Sequence, residues 1–268
     1  MTASRRLSLA HLSALHVPPP QLVRSAAAAG FDLVGALRLT PTRDGSGHAM
    51  LGESPLRRET MAALADTGTA VLDVEVFRLR AGTDVREAVP LLEAGAELGA
   101  RYLLCAVEDD DLVRRAQAFG ALCELGSSYG LTCMAEPMVF SAVRTPREAQ
   151  DLLRAAGDVD AGVLVDALHL VRAGGSPADV ARLAPGLLPY VQVSDAATAL
   201  PAASREAAVV EAVGHRLAPG DGVLPLRGLL DVLPADAAVS VEVPNPAAAE
   251  DPAAWFRYLA SRTRTLIG

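Results

Sequence analysis

The sequence predicts an α/β protein, a single (β/α)8 barrel, and three observations carry that prediction. Short apolar runs alternate with longer amphipathic segments from one end of the chain to the other, eight of each. Alternation of this kind implies parallel strands joined by crossover helices, and eight units within 268 residues match a closed barrel. The first run leads into Ser13-Ala14-Leu15-His16-Val17-Pro18-Pro19-Pro20, with none of the glycines that the phosphate turn of an open dinucleotide-binding sheet requires. Gly45-Ser46-Gly47 is a lone flexible loop that does not lead from a strand into a helix.

Taken in order, the apolar runs predict strands over 7–11, 32–37, 70–76, 102–107, 132–136, 162–166, 190–194 and 239–243. The amphipathic segments predict helices over 20–29, 55–66, 85–98, 110–129, 146–156, 177–183, 226–232 and 252–263. Several of these helices open on proline or an acidic residue and close near glycine, as helix ends prefer. No linker, low-complexity tract or further internal repeat divides the chain, so residues 1–268 read as one barrel domain.

Composition narrows the function classes. With 51% hydrophobic and 21% charged residues the chain can bury a large core. Its apolar runs, such as 26–29 and 161–165, fall far short of the roughly 18–20 residues that cross a bilayer. The first residues lack the pattern of a secretory signal, and the expected location is the cytoplasm, with no membrane partner. A net charge of −8 repels a phosphate backbone, which argues against nucleic acid as a partner. All 24 basic residues are arginine. The absence of lysine removes Schiff-base aldolases, lysine-bound pyridoxal phosphate enzymes and the usual P-loop. Cys105, Cys123 and Cys133 each sit in an apolar stretch and read as small buried hydrophobes.

In a barrel, chemistry gathers where strands end and the following loops begin. Strand five ends at Glu136, strand six at Asp166, and strand eight at Glu242, while strand seven carries Gln192. Four consecutive strands thus offer one oxygen donor each at comparable height. Three carboxylates so close would repel unless something positive lay between them. Three carboxylates and an amide suit Mg²⁺ or Mn²⁺ better than zinc, so these four are the candidate metal ligands. Taken singly, each has a plainer reading: a glutamate at a strand end is usually solvated, and an aspartate before a helix usually caps it. His169, three residues past Asp166, points to the same rim and suits proton transfer near neutral pH. Glu75, Arg78 and Arg216 are the candidate substrate-binding residues, either arginine being able to clamp a carboxylate or phosphate.

These motifs resemble the xylose isomerase-like TIM barrel superfamily, the sugar phosphate isomerase and epimerase group. The similarity runs from Ala26-Ala27-Ala28-Ala29-Gly30-Phe31-Asp32 to Glu242. Its most specific elements are the Glu136 strand, Val165-Asp166-Ala167-Leu168-His169, Val191-Gln192-Val193-Ser194-Asp195, Pro219-Gly220-Asp221-Gly222 and Val241-Glu242. The resemblance implies that the strand-end residues hold a divalent metal and that Glu136 and Glu242 also serve as acid and base. Gln192 departs from the histidine common in the epimerases and resembles the bacterial 3-dehydroshikimate dehydratases of the same superfamily, as do Phe77-Arg78 and Arg216. The superfamily's apurinic endonucleases need a histidine-rich zinc cluster, which five histidines with only His169 at a promising strand end do not supply.

The expected activity is therefore a metal-dependent isomerisation or epimerisation of a small polyhydroxylated carbonyl substrate by proton transfer through an enediolate. A dehydratase, with His169 as acid, is the alternative within the family. A barrel that has become a binding or scaffold subunit is the alternative outside enzymes, and its signature would be erosion of the rim residues. Nothing in these patterns speaks against a homo-oligomer.

Overall fold

The chain is seen in a computed structural model that describes residues 5–41 and 47–268. Gly45 and Ser46 of the loop noted above lie outside the described residues.

Eight strands form the barrel: β1 (Leu7–Ala10), β2 (Leu33–Gly35 and Leu37–Arg38), β3 (Ala70–Val71 and Asp73–Leu79), β4 (Tyr102–Val107), β5 (Thr132–Ala135), β6 (Ala161–Val163 and Val165–Asp166), β7 (Tyr190–Val193) and β8 (Ala238–Val241). Every pairing is parallel. Each strand lies beside its successor, and β8 returns to β1 through the register Leu7↔Val239, Ser8↔Ser240 and Leu9↔Val241. The breaks at Ala36, Leu72 and Leu164 let one strand serve two ladders. The first part of β6 pairs with β5, and Val165–Asp166 pairs with β7. At the break in β2, Ala36 adopts φ 42°, and its N–H donates to Asp73 Oδ1 at 2.8 Å. A buried carboxylate thus receives a backbone donor that the ladder does not use.

The helices, in order, are α1 (Pro19–Ala29), α2 (Pro55–Thr67), α3 (Val89–Glu97), α4 (Leu112–Ser128), α5 (Pro146–Ala156), α6 (Ala167–Arg172), α7 (Pro177–Val180), α8 (Arg205–Gly214), α9 (Leu226–Asp231), α10 (Ala247–Glu250) and α11 (Pro252–Ile267). The predicted 85–98 helix divides: Val85–Ala88 is a 3₁₀ turn, and α3 starts at Val89 with Pro90 in its first turn. Proline tolerates that position because it has no N–H to lose there. The α5 bounds agree with the prediction, and a Thr145–Glu148 capping box sets its start. Three helices were not anticipated: α6, α8 and α10. No helix among the described residues is long and apolar enough to cross a membrane.

Apolar side chains fill two shells. Leu33, Leu72, Leu104, Met134, Leu164 and Tyr190 pack inside the barrel, and a larger set seals it against the helices. The barrel interior is therefore a packed floor, and the site can only open at an end.

Candidate active site

All four predicted ligands lie at the ends where the strands finish, and all are buried. Glu136 directly follows β5 and still donates its N–H to Cys105 O at 3.1 Å. Glu242 directly follows β8 and donates to Val193 O at 3.1 Å. Asp166 closes β6 and caps α6, its Oδ1 accepting from the His169 N–H at 2.9 Å. Gln192 sits within β7, in register with Asp166 on one side and Ser240 on the other.

Arg216 organises the centre. Its Nη1 lies 2.6 Å from Asp166 Oδ2, its Nη2 3.0 Å from Glu242 Oε2, and its Nε donates to Ala212 O in α8 at 2.8 Å. The sequence offered this residue as a substrate clamp from a loop. The structure instead buries it and spends its guanidinium on two carboxylates, leaving one face on the cavity. Glu242 Oε1 accepts from Gln192 Nε2 at 3.2 Å. That leaves Gln192 Oε1 buried with no partner among the described residues.

Charge crowding sets the proton affinities. Burial, followed by the charges of Glu242, Asp166 and Glu75, pushes the Glu136 carboxyl well above the ordinary carboxylate range. Burial raises Glu242 to about 8 even though Arg216 opposes it. Burial also pushes Asp166 upward, but the charges of Arg216 and His169 and the hydrogen bonds to it prevail and hold it below its ordinary value. Burial lowers His169 to about 4, so its ring is neutral, 4.0 Å from Glu136 Oε1 and edge-on to Phe140 with centroids 5.1 Å apart.

A cavity of about 720 Å³ opens above this centre, with Glu136, His169, Arg216 and Glu242 in its lining, while Asp166 and Gln192 lie beneath the surface. Glu75 and Arg78 both border it from β3, but neither is free. Glu75 pairs with Arg38 at 3.1 Å, and Arg78 pairs with Glu108. Arg38 is a residue the sequence reading missed. The predicted strand stopped at Leu37, and one further residue of strand would have placed Arg38 on the rim. A second cavity, of about 480 Å³, lies at the opposite end of the barrel between Arg6, Arg101 and Tyr102 and contains none of the candidate residues.

The glycine turn has a structural purpose. Asp195 Oδ2 accepts from Gly220 N at 3.0 Å, and its Oδ1 accepts from Ala196 N at 2.8 Å and Leu224 N at 2.9 Å. A Cβ at Gly222 would fall 2.2 Å from Ala196 O, so only glycine lets the turn close on β7. This closure carries Arg216 back over Asp166.

The chain matches the family described as a xylose isomerase-like TIM barrel over residues 23–259. It belongs to the xylose isomerase-like TIM barrel family. No curated protein matches it. The solved structures it resembles include a xylose isomerase-like TIM barrel/4-hydroxyphenylpyruvate dioxygenase fusion protein, at 21% identity and TM-score 0.78 over 98% of this chain. This chain spans only 42% of that protein's length. The IOLI protein, solved with a zinc atom, is 16% identical with TM-score 0.77 and aligns over 98% of this chain and 97% of its own. A probable 3-DHS dehydratase from Bacillus anthracis is 13% identical with TM-score 0.74 over 97% and 98%. An L-ribulose 3-epimerase is 16% identical with TM-score 0.70 over 98% and 93%. At these identities the likeness concerns the fold.

The fold family implies a divalent metal, and the donor chemistry here fits one. Among the described residues, Gln192 Oε1 is buried without a protein partner. Asp166 and Glu242 each give one oxygen to Arg216 and retain lone pairs on the other. No three His, Cys, Asp or Glu side chains among the described residues are drawn tightly enough together to enclose an ion in this conformation. Arg216 supplies the positive charge between Asp166 and Glu242.

Proposed function

We propose that this barrel is a divalent-metal-dependent isomerase or epimerase of a sugar or sugar phosphate, working by proton transfer through an enediolate. The observation that carries the reading is the placement of Glu136 and Glu242 in the lining of one cavity, above Asp166 and Gln192. Glu136, Asp166, Gln192 and Glu242 would hold the ion. When bound, it would polarise the substrate carbonyl and acidify the neighbouring C–H.

The protein's own groups do the rest. One glutamate removes the acidified proton, and the other returns a proton at a different carbon or on the other face. Arg216 holds Asp166 and Glu242 in place, so the carboxylates need not reorganise as charge develops. The packed floor of Leu104, Met134 and Leu164 shuts off the barrel beneath the site, so bulk water has no route from below. Turnover in D₂O should place solvent deuterium on the isomerised or epimerised carbon. A product free of deuterium would mean direct hydride transfer and would overturn the enediolate.

One observation favours a second reading within the family. Gln192 occupies a position where the epimerases commonly have histidine, and His169, 4.0 Å from Glu136, would have to be protonated to serve as acid for a leaving hydroxyl. That combination suits dehydration of 3-dehydroshikimate. Incubation of the Mn²⁺-loaded protein with that compound decides between the two, because only dehydration generates the near-ultraviolet absorbance of an aromatic product.

A further inference from the structure

We propose that the part of the substrate lying away from its reacting carbons is apolar, a ring or branched hydrocarbon seated against α8, and not a chain of hydroxyl groups. The proposal rests on the functional reading above for the reacting end and replaces its sugar chain with a hydrocarbon group for the remainder.

The lining of the upper cavity is segregated. Its charged groups form the floor and the β2–β3 side, where Arg38, Glu75, Arg78 and Arg80 are drawn together in ion pairs. Among the described residues, the rest of the wall is hydrocarbon: Leu12 and Leu15 after β1, Met138 and Phe140 after β5, and Val209 and Val213 on α8. Thr40 is the one uncharged hydroxyl among the described lining residues. A substrate hydroxyl buried against valine or leucine loses its water partner and gains none, which is unfavourable at every carbon of a polyol chain. An apolar group in the same place gains by leaving water.

The orientation of α8 supports the same conclusion. Arg172 grips Glu211 with two contacts of 2.6 and 2.7 Å, and Arg216 Nε holds the Ala212 carbonyl. Ala208 and Ala212 are buried by this anchoring. Val209 and Val213, four residues apart and so on one helix face, border the cavity and remain 37% and 57% exposed. Clustered apolar side chains left open at the mouth of a site mark a contact surface. Val210 is 55% exposed but borders no part of the cavity, which makes it an internal control.

The test uses two probes with the same hydroxymethyl ketone head: benzyl hydroxymethyl ketone, with an apolar tail, and erythrulose, with a hydroxylated one. Calorimetric titration of the Mn²⁺-loaded protein should show the benzyl ketone binding about tenfold more tightly. The double variant Val209→Asn, Val213→Asn should erase that preference and leave erythrulose binding unchanged, and Val210→Asn should alter neither. All three sites are surface positions, and circular dichroism verifies the fold of each variant. Equal or tighter binding of erythrulose, no binding of either probe, or a double variant that leaves the preference intact overturns the proposal. Manganese uptake, measured by elemental analysis of the same samples, tests the functional reading separately. Protein that takes up no metal would count against that reading, and the probe comparison then runs on the metal-free protein with the same outcomes for the wall.

Discussion

Arg216 reaches Asp166 at 2.6 Å, and neither side chain is more than 2% exposed. The same aspartate caps α6 with its other oxygen, so one buried carboxylate joins a helix start, a β6 end and the segment after α8. A buried pair of this kind contributes little relative to apolar packing, but removing one partner strands the other without compensation.

Arg216→Met should therefore destabilise the metal-free protein by about 3–5 kcal/mol, because Asp166 and Glu242 then share a dry space with no positive charge. Urea unfolding in the presence of a chelator measures this. Added Mn²⁺ should restore part of the loss, since an ion there would neutralise the same carboxylates. A variant as stable as the parent under chelation would show that the guanidinium does not hold the centre together.

Asp166→Ala should abolish divalent metal binding, because it removes one of three anionic donors and frees Arg216 to repel the ion. Elemental analysis of protein purified without chelator gives the answer. Full occupancy in this variant would rule out the ligand set.

Asp73 contributes a pH dependence of stability, its buried carboxyl feeling the charge of Glu75 as well as desolvation. Burial raises its carboxyl to about 7, with Ala36 N–H and the Tyr190 hydroxyl as its partners; the unfolded chain titrates it near about 3.9. A group that binds its proton more tightly when folded stabilises the fold fully below the unfolded value and loses that contribution as pH rises through the folded one. Stability of the parent should thus decline between pH about 4 and about 7 relative to Asp73→Asn, by on the order of 4 kcal/mol in all. Parallel denaturation curves across that window would exclude Asp73 as the source.

The three cysteines should resist thiol reagents in the folded protein. All are buried, and contact with a neighbouring thiol together with burial pushes Cys123 and Cys133 well above the ordinary thiol range. Labelling should reach none of them natively and all three after unfolding; fast native labelling would contradict the packing.

The barrel was legible because its strands are apolar runs; three of them end on the polar residues Glu136, Asp166 and Glu242, and Gln192 stood out as the polar residue inside the seventh. The interruptions at Ala36, Leu72 and Leu164 were not, since the apolar run continues through each and only the backbone turns. Helix α6 was hidden because Asp166 ends a strand and caps a helix at once, leaving no loop to announce the change. Helix α8 escaped notice for a different reason. Its valines face the cavity and solvent, so the stretch lacks the inward stripe that periodicity detects. The burial of Arg216 depends on how the 217–222 turn folds back on Asp195, a contact between distant residues that no local pattern encodes.

The bond from Arg216 Nε to the Ala212 carbonyl makes residues 205–216 a single mechanical part, which carries both the Val209 and Val213 side of the cavity and the guanidinium that braces the carboxylates. Grafting a relative's loop to retune selectivity would succeed only if the cassette were moved whole, together with Arg172 as its socket. Exchanging the helix alone would alter selectivity and loosen the brace in the same step, and the two effects could not be told apart from turnover.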